Sequence, residues 1–154
     1  MKYLALVPRW LTVLFSAFVL ATPFSTAKAE QSQDFGDYVV HFNALPTSFL
    51  IPSVANKFKV RRSKNRAFLN ISVLKKYMGT SGEPISARVA TQAVNLTGQA
   101  REIGMREIRE GQAIYQLGDF KIHNEETLDF TIELRPVGTD KTYIVKFRQQ
   151  FFVN

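Results

Sequence analysis

A strict two-residue alternation over the last third constrains this chain more than any other feature. Leu128, Phe130, Ile132 and Leu134 alternate with Asp129, Thr131, Glu133 and Arg135. After a turn-forming run at residues 136–140, Tyr143, Val145, Phe147 and Phe151 alternate with Ile144, Lys146, Arg148 and Phe152. Successive side chains of a strand point to opposite faces, so the pattern predicts a β-hairpin with one face on a core.

The same period recurs upstream. Tyr38, Val40 and Phe42 predict one strand, and Leu69, Ile71 and Val73 another. Residues 47–51 suit a short strand. Pro52 to Lys57 suits a single helical turn, because proline is tolerated at a helix start. Polar residues 30–34 read as a frayed end, and residues 79–84 as a turn-rich break. Ile85, Ala87 and Val89 lie on one parity, but Val94 and Leu96 lie on the other. A bulge near residues 90–92 would repair the register, or two strands meet there. Residues 101–109 fit neither period. Gly104 and Gly111 disfavour a helix, so a strand ending in a turn at Glu110-Gly111 is expected, with a returning strand over 113–117.

Seven to eight short strands of this kind predict an all-β fold: an antiparallel immunoglobulin-like β-sandwich with one short helical turn at Pro52-Lys57. A membrane β-barrel is the rival. It needs lipid-facing apolar bands between aromatic girdles, whereas here the second side of most strands carries charge.

Residues 1–29 have a different character. Lys2 and Arg9 precede an apolar run from Trp10 to Ala21, Pro23 breaks it, and Ala27-Lys28-Ala29 follows. That is the layout of a secretory signal peptide cleaved after Ala29. The run is shorter than the roughly 20 apolar residues that cross a bilayer. No later run reaches that length, so no transmembrane segment is expected in the mature chain. Residues 30–154 then form a single domain, large enough to hold a core without staples, in the periplasm or secreted. Losing Lys2, Arg9 and Lys28 takes the formal charge from +7 to +4.

No catalytic residue, metal ligand set or cofactor motif can be assigned. The chain has no cysteine, which excludes a thiol nucleophile and a thiolate metal site. His41 and His123 are the only histidines. Asp119, Glu125 and Glu126 near His123 are the sole material for a carboxylate–histidine metal site; a polar turn before the hairpin is the simpler reading. Nothing matches a zinc-protease, nucleophile-elbow or phosphate-loop motif.

One segment stands out in charge. Residues 57–66 hold six basic residues and no acid, so the rest of the mature chain is slightly acidic. Two readings are open. In the first, Arg61, Arg62, Lys64, Asn65 and Arg66 bind phosphate or carboxylate on an envelope protein or an anionic envelope component, with nucleic acid disfavoured by the address. In the second, Lys57, Lys59 and Arg61 form the wet side of a protected edge strand, and Arg62 and Arg66 pair with Glu107 or Glu110. An exposed Phe152 beside Phe49 or Phe58 would add an apolar docking patch; otherwise these rings cap the core.

Arg62-Ser63-Lys64-Asn65-Arg66 running into Leu69-Asn70-Ile71-Ser72-Val73 is the most distinctive stretch. With Pro84-Ile85-Ser86-Ala87-Arg88-Val89, Arg106-Glu107-Ile108-Arg109-Glu110 and Glu125-Glu126-Thr127-Leu128, it resembles a family of small exported Gram-negative bacterial proteins catalogued as a domain of unknown function. The resemblance spans residues 35–152. It implies a periplasmic β-rich domain and transfers no catalytic residue. The expected function is therefore non-catalytic binding in the envelope. An unrecognised metal-dependent hydrolase and a purely architectural subunit are the alternatives. Nothing in the sequence specifies an oligomeric state.

Overall fold

The computed structural model describes residues 31–78 and 82–153; the expected signal peptide lies outside the described residues. Among those residues the strands are β1 (Gln31–Asp34), β2 (Tyr38–Pro46), β3 (Arg66–Lys75), β4 (Glu83–Ile85), β5 (Ala87–Asn95), β6 (Ala100–Ile103), β7 (Arg106–Glu110), β8 (Ala113–Lys121), β9 (Glu126–Pro136) and β10 (Tyr143–Phe151). The one α-helix described, α1, is Pro52–Lys57, and a 3₁₀ turn occupies Thr47–Phe49. Every pairing is antiparallel. One sheet has the order β1-β2-β3-β8-β7, with β4 alongside the end of β3; the other has the order β10-β9-β5-β6. Together they make the expected sandwich. The ten strands, against the seven or eight expected, include short ones that carry little periodic signal.

The terminal hairpin pairs without interruption from Tyr143 opposite Leu134 to Phe151 opposite Glu126. Its apolar set faces the first sheet, whose inner face is Tyr38, Val40, Phe42 and Ala44 from β2 and Ala67, Leu69, Ile71 and Val73 from β3. Rings bind the layers together. Phe130 stacks on Phe147 at 4.6 Å between centroids, and Phe42 of the opposite sheet reaches Phe147 at 4.9 Å. Offset or tilted aromatic pairs add on the order of 1 kcal/mol beyond burial.

Four expectations are corrected. Residues 31–34 are not frayed: β1 pairs with β2 over its whole length. Residues 47–51 form no strand, because the Thr47 hydroxyl bonds the backbone of Ser63 and commits the chain to a turn. No bulge or junction interrupts β5, which pairs evenly with β9 from Ala87 to Asn95. Its inward face continues through Thr91 and Ala93, while Leu96 is exposed; apolarity on the wet side mimicked a register change. Residues 101–109 fit no period because they change sheets. β6 pairs with β5 in the second sheet and β7 with β8 in the first. The passage needs room over Gly118, where a Cβ would lie 2.5 Å from Met105 Sδ and 2.7 Å from Ile103 Cγ2.

Candidate functional site

The basic segment lies in the connection between β2 and β3, not in an edge strand. Lys57 ends α1, residues 58–65 form a loop, and Arg66 opens β3. Pro52 starts the helix at its first turn, where a missing N–H costs nothing. The helix stops in a Schellman arrangement: the Val60 N–H donates to Ala55 O at 2.8 Å and the Lys59 N–H to Asn56 O at 3.1 Å. Lys59 takes the left-handed position at φ 52°, where glycine is the unstrained residue.

The loop is pinned from both sides. Thr47, fully buried, donates its hydroxyl to Ser63 O at 3.0 Å and accepts from the Ser63 N–H at 2.9 Å. Val60 is buried with Phe68 and Leu117 in a second, smaller apolar cluster on the outer face of the first sheet. Beside it a cleft of about 200 Å³ is lined by Leu50, Val54, Phe58, Ile108 and Tyr115, with Phe68 at its floor. Next along that face lies a more polar depression that includes His41, Asn43, Asn70 and Ser72.

The five candidate binding residues separate into two groups. Arg66 is committed: its Nε donates to Asp119 Oδ2 at 3.1 Å and its Nη2 joins the same ion pair. Asn65 serves the backbone, accepting the Ile122 N–H at 3.0 Å. Arg62 donates to Ser48 O at 3.1 Å and remains exposed. Arg61 and Lys64, together with Lys59, are exposed and have no acidic partner among the described residues. The expected pairs with Glu107 and Glu110 do not form for Arg62 or Arg66. Glu110 is taken by Lys57 and Glu107 by Arg109.

Of the carboxylates near His123 only Glu126 reaches it, with Oε2 3.4 Å from the ring Nδ1 and accepting the His123 N–H at 3.0 Å. Glu126 also pairs with Arg101, Asp119 belongs to Arg66, and the His123 side chain is 78% exposed. Among the described residues no group of three or more histidines and carboxylates could hold a metal ion. Phe58 packs against the second cluster, while Phe49 and Phe152 stay exposed. Thr47, whose polar side chain gives no hint of burial, and the outer cluster, whose strand residues Phe68 and Leu117 lie on the sheet face away from the main core, left no signal in the sequence.

The family of unknown function designated DUF4426 matches residues 32–154. The chain belongs to the DUF4426 family. A DUF4426 protein from Pseudomonas aeruginosa PAO1, known from its crystal structure, is 34% identical with a TM-score of 0.72, covering 83% of this chain and 98% of that one. FetP of uropathogenic Escherichia coli strain F11 is 12% identical with a TM-score of 0.58, covering 80% of this chain and 93% of that one. A copper-bound FetP variant is 14% identical with the same TM-score, covering 82% of this chain and 92% of that one. At those identities FetP shares the fold alone. No curated protein matches the chain.

Proposed function

We propose that this DUF4426 protein is an exported, periplasmic domain that acts by binding, not catalysis. Its partner in this reading is an anionic component of the envelope, met by the connection between β2 and β3. The supporting observation is the set Lys59, Arg61 and Lys64, three exposed cations without an acidic partner among the described residues, on a loop held by Thr47, Ser63 and Val60. Cations kept for edge protection alone would need no such fixed loop. A lysine in the left-handed position costs about 1 kcal/mol relative to glycine, a cost consistent with a cation being needed there. Arg62, held only by a backbone carbonyl, adds a guanidinium fork that suits phosphate or carboxylate.

Export rests on the leader pattern over residues 1–29. Amino-terminal sequencing of protein recovered from the periplasmic fraction should begin at Glu30. The binding claim is tested with phosphorylated envelope lipid and with peptidoglycan fragments at low and high salt. Binding at low salt that weakens at high salt is the expected result. Negligible binding to both at low salt contradicts it. Co-purification from native envelopes would distinguish a ligand-binding module from an architectural subunit.

A further inference from the structure

The connection that carries the free cations also carries two strongly exposed apolar side chains, Phe49 at 72% and Ile51 at 61% relative exposure. Other exposed apolar residues, such as Leu96 and Val137, sit singly at hairpin ends, which is ordinary for a surface. Phe49 and Ile51 are different because the fold brings the basic loop back to them. Arg62 Nη2 donates to Ser48 O at 3.1 Å, one residue from Phe49. The reciprocal Thr47–Ser63 bonds join the two arms of the connection just beneath. Both arms are therefore held as one unit.

Resting on the reading that this loop binds anions, we infer that its partner is the surface of a bilayer containing anionic phospholipid. Peptidoglycan carboxylates or a soluble polyanion would use the cations only, leaving Phe49 and Ile51 in water. A bilayer surface uses both kinds of group. The apolar side chains enter below the headgroups, while Arg61, Arg62 and Lys64 hold their charges at the phosphates on apolar stems. Charge complementarity supplies the attraction: cations near an anionic leaflet strengthen binding by about fivefold each. Insertion of each exposed side chain adds on the order of tenfold. Neither group alone anchors a protein firmly, and the pairing of an apolar signal with a basic one is what gives stable, reversible attachment.

The test uses the protein expressed with its full sequence and purified as the host leaves it. It is sedimented with phosphatidylcholine vesicles and with vesicles of phosphatidylcholine plus phosphatidylglycerol. The expected result is binding to the anionic vesicles only. Phe49→Ser/Ile51→Ser should weaken that binding by on the order of a hundredfold, and Arg61→Gln/Lys64→Gln by roughly twentyfold or more with a flatter salt dependence. All four positions are exposed, and an unchanged melting curve checks each fold. Binding to peptidoglycan fragments or an acidic protein, without vesicle binding, overturns the bilayer inference and leaves the anion-binding reading standing. Vesicle binding unaffected by Phe49→Ser/Ile51→Ser also overturns it. No binding to any anionic probe overturns both.

Discussion

The two apolar clusters of this protein are built under different rules. The main core lies between the sheets, and most of its side chains are almost wholly buried; Val40, Leu69, Ile71, Leu128, Ile132 and Val145 each have 0% exposure. The outer cluster lies on the far face of the first sheet and has only the β2–β3 connection above it. Val60, Phe68 and Leu117 are buried there, but Leu45, Leu50, Phe58 and Ile108 are only partly covered. The same outer face turns polar at His41, Asn43, Asn70 and Ser72. A sheet face is apolar where something packs on it and polar where water does, so the apolar patch marks where the connection is seated. The difference shows that β2–β3 is a packed structural element, able to present the basic loop in one fixed shape.

Substitutions that break this contrast should differ in size. Phe130→Ala removes a ring stacked at the centre of the main core and should cost about 4 kcal/mol, measured by chemical denaturation. Gly118→Ala would drive a methyl group into the passage of β6 to β7 and should cost up to about 3 kcal/mol. Phe68→Ala empties the floor of the outer cleft, which is already open on one side. It should cost less than the central substitution, about 2 kcal/mol, because the site can relax and hydrate. Equal losses for Phe130→Ala and Phe68→Ala would erase the distinction between the clusters.

Two smaller effects sharpen it. Lys59→Gly relieves the left-handed backbone at the end of α1 and should stabilise the connection by about 1 kcal/mol, while weakening binding to phosphorylated envelope lipid at low salt. Stabilisation without loss of binding would exclude Lys59 from the site. The smallest effect concerns the edge of the first sheet. The Lys76 ammonium holds the Asp34 carboxyl below its ordinary value of 3.8, helped by the Gly36 N–H. A depressed carboxylate contributes stability that is complete above the ordinary value and is lost as pH falls through the lowered one. Asp34→Asn should therefore lower stability slightly at neutral pH, leave it unchanged below the lowered value, and so flatten the acid limb of the stability curve. Because the pair is exposed, its contribution is small.

The sequence disclosed the elements whose two faces meet different surroundings. β9 and β10 alternate because one face meets the core and the other water, and their core-facing sides were legible from Leu128 to Phe151. The α1 turn was legible because Pro52 marks its start. The second cluster was hidden, since Phe68 and Leu117 occupy the face opposite to the main core and therefore read as noise in the alternation. β5 misled because Thr91 and Ala93 are weakly apolar residues facing inward. The basic segment was visible in composition, but its division was not. Arg66 is neutralised by Asp119, 53 positions away, a partnership that only the pairing of β3 with β8 creates. Arg61 and Lys64 have no such neighbour among the described residues, and that distinction belongs to the fold.

The most direct test of the central claim, that the β2–β3 connection is the binding surface, is amide hydrogen exchange with and without phosphorylated envelope lipid. Slower exchange confined to residues 47–65 is the result this account predicts. Slowing that spares those residues and falls on the outer face of β9 and β10 would contradict it.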